Sequence, residues 1–259
     1  MRLLFTSDWH SDAVTLGVPR REEFRGYVAL LREAVVKHDV DIVVFPGDAF
    51  DPGSMLHAQH ELDVAHAFRD LSREAAMGRL IAVAGNHDIV EVARPLSVLT
   101  PLGAVMDRVH VADEPSVFTV GDHGASWEAV TFLLLPYTAR AWADAEARGL
   151  AGGPAAAMDD AFTRARNAKG LGHRIVVVGH MTVAGAEMGS ESVELSRGRD
   201  LDLPVGRIKE LEPTLVVNGH YHRPQIVKVD GLEIVIPGSP LAFTTDDVSD
   251  DKGYVVVDV

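Results

Sequence analysis

The stretch TLVVNGHYHRPQ, residues 214–225, runs from apolar residues through an Asn-Gly pair to His220 and His222. Its apolar part is short and rich in Val, which is typical of a strand that is covered on both faces. Two imidazoles at the end of such a strand are either polar turn residues or a pair with a shared function. The second interpretation requires partners elsewhere in the chain.

Five other apolar runs have the same character, and most of them end in Gly, Asp, Asn or His. They are RLLFTSD (2–8), DIVVFPGD (41–48), LIAVAGNHD (80–88), AVTFLLLPY (129–137) and RIVVVGH (174–180). The spacing of apolar residues predicts helices over 21–38, 54–77 and 155–169. Towards the C-terminus, Asp230-Gly231 predicts the turn of a hairpin. We therefore predict one α/β domain over residues 1–259, with a partly antiparallel second sheet.

The composition limits the classes of protein to which the chain can belong. It has no cysteine, which excludes a disulfide framework and a thiolate metal site. Its formal net charge of -14 argues against holding nucleic acid by bulk positive charge, although bound divalent cations would change the sign in one cleft. The N-terminus is too quickly polar for a signal peptide, and no apolar run is long enough to span a bilayer. We expect a cytoplasmic protein without a membrane segment.

Polar residues follow five of the predicted strands, at the ends where ligands collect in open α/β sheets. These strand ends read Asp8-Trp9-His10, Gly47-Asp48-Ala49-Phe50-Asp51, Gly85-Asn86-His87-Asp88, Gly179-His180 and Gly219-His220-Tyr221-His222. Carboxylate, amide and imidazole ligands without thiolate suit two divalent cations such as manganese, iron or zinc. Asp48 is the natural bridging carboxylate, because it ends a central strand.

The alternation of side chains along a strand adds detail to this prediction. It predicts that Asp8 and His10 point to one side of their strand, and that His220 and His222 do the same. Tyr221 should then face the opposite way, towards packing. The remaining histidines fall in a predicted helix or at element edges, and we expect them to be structural or solvated: His38, His57, His60, His66, His110, His123 and His173.

The motifs DxH, GDxxD, GNHD, GH and GHxH, in this order from Asp8 to His222, make the sequence resemble the calcineurin-like metallophosphoesterases. The resemblance implies an α/β (α+β) fold of the metallo-dependent phosphatase type. This fold is a four-layer α-β-β-α sandwich of two mixed sheets flanked by helices, with a dinuclear metal centre at one edge. By motif position, one metal would be held by Asp8, His10, Asp48 and His222, and the other by Asp48, Asn86, His180 and His220. His87 would be the catalytic imidazole, with Asp88 orienting it.

Within that superfamily the sequence is most similar to the SbcD-type DNA repair nucleases. The likeness is carried by VPRREEF, GDAFDPGS, MTVAGAEMGSES, GHYHRPQ and IPGSPLAFTTDD, and it covers essentially the whole chain. It implies a DNA nuclease, either exonuclease or endonuclease, that uses two divalent metal ions and a hydroxide held between them. Manganese is the expected metal, with iron, zinc, nickel and magnesium as alternatives. Two other functions stay open: a phosphodiesterase or phosphatase for small molecules or cyclic nucleotides, and a non-enzymatic binding module.

One departure from the SbcD-type pattern affects the expected partners. Nucleases of that type normally continue into a DNA-capping domain and a helical segment that binds an SMC-like ATPase, whereas this chain ends with the strand after PGSP. We expect a nuclease core without the capping domain, with DNA as substrate and without the usual segment for an ATPase partner. A homodimer through the predicted helices is an alternative to a core role for their apolar faces. Candidate substrate contacts are Trp9, Arg20, Arg21, Arg140, Tyr221 and Arg223.

Overall fold

The computed structural model of the chain describes residues 1–51, 58–91, 96–121, 129–138, 154–189 and 200–259. The strands are β1 (Arg2–Phe5), β2 (Val14–Thr15), β3 (Val18–Pro19), β4 (Ile42–Phe45), β5 (Arg79–Val83), β6 (Ile89–Glu91), β7 (Leu96–Ser97), β8 (Val109–Ala112), β9 (Ser116–Val120), β10 (Val130–Leu135), β11 (Arg174–Gly179), β12 (Leu215–Asn218), β13 (Gln225–Val229), β14 (Leu232–Ile236) and β15 (Val255–Asp258). The helices are α1 (Arg21–Lys37), α2 (Ala58–Glu74), α3 (Thr100–Val105), α4 (Pro154–Gly170) and α5 (Val205–Glu210), with a 3-10 turn at Thr245–Asp247.

Two large mixed sheets form the centre of the fold. The first has the strand order β15-β1-β4-β5-β8, with β15 antiparallel to β1 and the other neighbours parallel. The second has the order β13-β14-β12-β11-β10-β9, with antiparallel pairs at its two edges and parallel pairs between them. Because the parallel strands run the same way within each sheet, their carboxyl ends gather at one edge of that sheet.

The alternation of side chains along each strand divides the core into three layers. In β4, Ile42 and Val44 pack against residues of the second sheet, while Val43 and Phe45 face α1 and α2. On the outer face of the second sheet, side chains of β10, β11 and β12 pack against α4 and α5. Each fully buried aliphatic or aromatic side chain stabilises this arrangement by about 1.5–3 kcal/mol. The result is the predicted four-layer α-β-β-α sandwich.

Helix α1 shows how the sequence produces a covering helix. Its buried side chains recur at helical spacing and include Phe24, Leu31 and Val35, so that one stripe faces the first sheet. Glu22 and Glu23 lie in its first turn and a lysine lies in its last, which suits the helix dipole at both ends.

The six predicted strands are all present, although each is shorter than its apolar run. The helices predicted at 21–38 and 155–169 are α1 and α4, and the helix predicted at 54–77 is α2, whose first predicted residues, 54–57, lie outside the described residues. The hairpin at Asp230-Gly231 is confirmed, because β13 and β14 pair antiparallel on either side of it. The C-terminal strand β15 joins the first sheet beside β1, a long-range pairing that no local pattern indicates. Among the described residues, no helix is both long and apolar enough to cross a membrane.

Candidate metal centre

The polar side chains of the motifs lie in the loops that follow the strands. Several of them have a left-handed backbone, with φ values of 53° for Asp8, 41° for His10, 60° for Asp48 and 78° for His220. Residues other than glycine rarely adopt this conformation, and it costs of order 1–3 kcal/mol per residue. Backbone hydrogen bonds between two of these loops hold it in place, including those from Asp8 N to Gly47 O (2.9 Å) and from Trp9 N to Asp48 O (2.7 Å).

This loop geometry corrects the prediction from side-chain alternation. Strands β1 and β12 end before Asp8 and before His220, so the period of two does not apply to either pair. His220 and His222 lie in different groups of ligands, and Asp8 and His10 lie in the same group. Tyr221 is nevertheless buried, as predicted, and its hydroxyl donates to the Val183 carbonyl (3.1 Å) and accepts from the Val183 amide (2.9 Å).

The first ligand cluster consists of Asp8, His10 and His222, whose ligand atoms lie within 4.8 Å of one another. All three are buried. The Nδ1 of His10 lies 2.8 Å from the Phe50 carbonyl, which can only accept, so Nδ1 carries the ring proton. The lone pair of its Nε2 then points into the cluster, where the Nε2 of His222 lies 3.0 Å away.

The second ligand cluster consists of Asp48, His180 and His220, again with ligand atoms within 4.8 Å. The Nδ1 of His180 lies 2.6 Å from the Pro46 carbonyl, so its Nε2 faces the cluster, 3.3 Å from Asp48 Oδ2. The side-chain oxygen of Asn86 lies 3.0 Å from His180 Nε2 and 3.0 Å from His220 Nδ1. The amide oxygen therefore belongs to this cluster as well.

Two glycines allow the loops to approach closely around Asp48. A Cβ on Gly85 would lie 2.0 Å from Asp48 Oδ1 and 2.5 Å from its backbone nitrogen. A Cβ on Gly47, which also has a φ of 96°, would lie 2.4 Å from the Nδ1 of His180. Any larger residue at either position would displace a ligand, which explains why glycine precedes the polar residue at these strand ends.

Burial and neighbouring charges set the pKa values of the ligand side chains. Burial disfavours the Asp48 carboxylate, yet the His180 imidazolium beside it holds the pKa of Asp48 well below its usual range. Burial also opposes charge on His180, but the Asp48 carboxylate raises the pKa of His180 to about 9. Burial lowers the pKa of His220 to about 3, and in the first cluster it holds the pKa of His222 well below its usual range. His220 and His222 are therefore neutral and able to bind a cation.

The residues fit a pair of divalent cations. Each cluster combines carboxylate oxygen with imidazole nitrogen, and the second adds an amide oxygen, which are the ligands that manganese, iron and zinc accept. Backbone carbonyls hold the Nδ1 atoms of His10 and His180, so that both rings present Nε2 to the centre. Without a cation, several buried imidazoles would face one another with few donors between them.

His87 lies beside the centre, and its side chain is 15% exposed. Its backbone amide donates to Asp48 Oδ1 (2.9 Å), and its Nε2 lies 3.7 Å from Asp48 Oδ2. Burial lowers the pKa of His87 to about 4, which makes the ring neutral at pH 7. Among the described residues, its buried Nδ1 has no hydrogen-bond partner.

Asp88 does not orient His87, which corrects the role that the resemblance implied. Its carboxylate accepts hydrogen bonds from the backbone amides of Asp48, Ala49 and Gly85, each at 2.9 Å. Burial raises the pKa of Asp88 to about 7. Asp88 thus fixes the Asp48 loop against the Gly85 loop, and it acts on the backbone of the site.

The predicted substrate contact at Trp9 is wrong. Trp9 is fully buried, with ring centroids 4.6 Å from Phe45, 5.3 Å from Phe24 and 5.5 Å from Phe68, and its Nε1 donates to Thr6 (2.7 Å). A ring enclosed in this way cannot stack on a substrate. Tyr221, which is 2% exposed, is excluded for the same reason.

The candidate arginines are held by other residues of the chain. Arg20 pairs with Glu23 and donates to the Ala242 carbonyl (2.8 Å). Arg21 pairs with Asp63 (2.5 Å). Arg223 pairs with Glu187 (2.9 Å) and Asp250 (3.4 Å), and Arg140 lies outside the described residues. A role in substrate binding stays a prediction for all of these arginines.

Two residues near the centre were not predicted from the sequence. The ring of Phe243 lies 5.3 Å from the His10 ring and 5.4 Å from the His222 ring, so it forms an apolar wall of the first cluster. Asp200 lies beside His220, with Oδ2 at 3.7 Å from Nε2. Phe243 lies in IPGSPLAFTTDD, one of the stretches that carry the resemblance to the SbcD-type nucleases, whereas Asp200 belongs to no motif.

The other histidines of the described part of the chain lie outside both clusters. His60 bonds the Ser11 carbonyl (3.2 Å), His173 bonds Thr131 (2.8 Å) and His110 stacks on Phe118 with ring centroids 4.3 Å apart. His38 and His66 are also absent from the clusters, and His57 and His123 lie outside the described residues.

Comparison with known sequences links this site to a family. The family model "Calcineurin-like phosphoesterase" matches residues 1–224, which include every residue of the two clusters. A curated relative from Rhodobacter capsulatus, the SbcD component of the SbcCD nuclease, is 28% identical over an alignment that covers 100% of this chain and 66% of that protein. The protein of the same name from Bacillus subtilis is 25% identical, with 100% of this chain and 66% of that protein covered. The chain spans just under two thirds of the length of these relatives.

Comparison with solved structures confirms the fold alone. A structure described as GAP50, the anchor in the inner membrane complex of Plasmodium, matches with a TM-score of 0.52 at 13% identity. The match covers 99% of this chain and 80% of that one.

Proposed function

This chain belongs to the calcineurin-like phosphoesterase family, and we propose that it is a metal-dependent phosphodiesterase that cleaves DNA. The observation that carries the proposal is the pair of buried ligand clusters, one of Asp8, His10 and His222 and the other of Asp48, His180 and His220. Two-metal sites of this kind are suited to in-line displacement at phosphorus, because both the attacking and the leaving oxygen need charge stabilisation.

In this proposal the first cluster, with Asp48, holds one ion and the second cluster, with Asn86, holds the other. Manganese is the proposed metal, because the oxygen and imidazole ligands suit it and no thiolate is present. When bound, such ions supply Lewis acidity that activates water and offsets the negative charge of a phosphate.

His87 is the proposed proton donor to the leaving group. Water attacks phosphorus and loses one proton to the solvent, the bond from phosphorus to the leaving sugar oxygen breaks, and the proton of the His87 imidazolium passes to that oxygen. Its pKa of about 4 makes the ring neutral in the free protein, but a phosphodiester anion beside it favours the imidazolium. Asp48 supports this position, since its Oδ1 accepts the His87 backbone amide.

The choice of DNA rests on the relatives, which are named as components of the SbcCD nuclease. The net charge of -14 favours the second candidate, a phosphodiesterase for small molecules or cyclic nucleotides on the same site. A cytoplasmic location, an SMC-like ATPase partner and a homodimer are further parts of the nuclease proposal.

A substrate panel tests the proposal. The chain, stripped of metal and reloaded with manganese, is incubated with single-stranded DNA, duplex DNA, cyclic nucleotides and bis-p-nitrophenyl phosphate. We expect cleavage of DNA and of the small diester, with both activities lost in the His87→Gln variant. Turnover of the small esters without DNA cleavage would replace the nuclease by the second candidate. Failure to bind any divalent metal would instead favour a non-enzymatic binding module.

A further inference from the structure

A buried carboxylate outside the two clusters faces one of the cluster histidines. Asp200 is 7% exposed, and its Oδ2 lies 3.7 Å from the Nε2 of His220. Among the described residues, this Nε2 is buried and makes no hydrogen bond. The opposite nitrogen, Nδ1, lies 3.0 Å from the Asn86 side-chain oxygen and so faces the second cluster. The His220 ring therefore stands between the second cluster and Asp200.

Asp200 is held in this position from the end of β10. The hydroxyl of Tyr137 donates to Asp200 Oδ1 at 2.7 Å, which leaves Oδ2 facing His220. The backbone fixes both residues, since the Tyr137 amide donates to the Ala84 carbonyl (2.9 Å) and the Leu201 amide donates to the Thr138 carbonyl (3.3 Å). The carboxylate is thus attached to both sheets and is not a loosely placed surface group.

We propose that Asp200 is a positioning residue that fixes the tautomer of His220. A neutral imidazole carries one proton, and a cation can bind only the nitrogen that lacks it. A carboxylate facing Nε2 favours the proton on that nitrogen, which leaves the lone pair of Nδ1 directed at the second cluster. The negative charge also makes Nδ1 a stronger ligand, as carboxylates behind metal-bound histidines do in other proteins. Tyr137 acts indirectly, because its hydroxyl hydrogen-bonds the Asp200 carboxylate and holds it in place.

This inference rests on the proposed function in one respect, namely that the second cluster binds a divalent ion. If Asp200 positions His220, loss of Asp200 weakens the metal site that contains His220 and leaves the other site unchanged. A purely structural role for Asp200 would weaken both sites together, along with the stability of the fold.

Metal titration of three variants separates these possibilities. The full chain is stripped of metal and titrated with manganese by calorimetry, as wild type, Asp200→Asn, Tyr137→Phe and Asp202→Asn. Asp202 is exposed and only two residues away, so it controls for the loss of one negative charge. We expect Asp200→Asn to weaken one site about 10–100-fold, with a smaller loss in Tyr137→Phe. Asp202→Asn should bind both ions as the wild type does, and saturating manganese should restore the turnover of Asp200→Asn.

Nuclear magnetic resonance of the zinc-loaded chain, with nitrogen-15 in its histidines, supplies a second readout. We expect His220 to carry its proton on Nε2, with a strongly downfield proton shift that moves upfield in Asp200→Asn. Wild-type affinity at both sites in Asp200→Asn, or a proton on Nδ1 of His220, would overturn the inference. If Asp200→Asn does not fold, unchanged affinity in Tyr137→Phe would also overturn it. A wild-type chain that binds no ion would contradict the metal centre itself, which is a different outcome.

Discussion

The Nε2 atoms of His10 and His222 lie 3.0 Å apart inside a buried pocket. His10 directs its Nε2 lone pair into the pocket, because its Nδ1 faces the Phe50 carbonyl. Burial holds the pKa of His222 well below its usual range, so that ring is neutral. Two imidazoles that face each other beside the Asp8 carboxylate form a set of ligands that suits a divalent cation.

The first prediction removes one of these imidazoles. His222→Gln should weaken metal binding at the first cluster by more than about 100-fold, because even residues behind a ligand contribute 10–100-fold. The second cluster should keep its ion. Calorimetric titration with manganese measures both sites, and His66→Gln is the control, because His66 is exposed on α2 and lies outside both clusters. Equal affinity in His222→Gln and wild type would contradict the assignment.

The second prediction uses the close approach of two loops. In Gly85→Ala the new Cβ would lie 2.0 Å from Asp48 Oδ1, so the Asp48 carboxylate, which is the proposed bridge between the two ions, must move. We expect metal binding to weaken at both sites. Gly26→Ala is the matched control: its Cβ meets nothing within 4 Å, and alanine in a helix should stabilise α1 by about 0.5–1 kcal/mol. Normal metal binding in Gly85→Ala would show that the position of Asp48 is not critical.

The third prediction concerns the chemical step. His87→Gln should bind two ions with the affinity of the wild type and lose about 10²–10⁴-fold in turnover, the usual contribution of a general acid. Titration with manganese and the hydrolysis of bis-p-nitrophenyl phosphate measure the two effects separately. A fully active variant would exclude His87 as the proton donor.

The fourth prediction follows from the contacts of Asp88. Asp88→Ala leaves three buried backbone amides without an acceptor, which costs about 1–3 kcal/mol for each group. We therefore expect the free energy of unfolding of the metal-free chain, measured with urea, to fall by at least about 3 kcal/mol. Asp107→Ala, at an exposed position, should have little effect. Lost turnover with unchanged stability would instead return Asp88 to the role of orienting His87.

The fifth prediction is the pH dependence of metal binding. In the metal-free chain His180 has a pKa of about 9, so it carries a proton at pH 7.5, and an ion that binds Nε2 must displace that proton. Affinity at the second cluster should therefore rise as the pH increases towards about 9 and level off above it. Calorimetry in buffers with different ionisation enthalpies should detect about one proton released at this cluster. Binding without proton release would contradict the charged state of His180.

The sequence predicted most of the elements and the ligand types, because both depend on local patterns. Short apolar runs identify the strands, and polar residues after them identify the edge where a site forms. The role of Asp88 was not predictable in this way, because its three amide partners come from two loops. The alternation of side chains failed at His220 and His222 because the backbone had already left the strand. Asp200 has no motif, and only the fold brings it beside His220.

The number of manganese ions bound by each metal-stripped chain tests the central claim most directly. Two clusters of buried ligands, with Asp48 as the proposed bridge between the ions, predict two ions per chain in a calorimetric titration, confirmed by elemental analysis after dialysis. Binding of no divalent ion, or of one ion that His222→Gln and Asn86→Ala weaken equally, would contradict the two-metal centre.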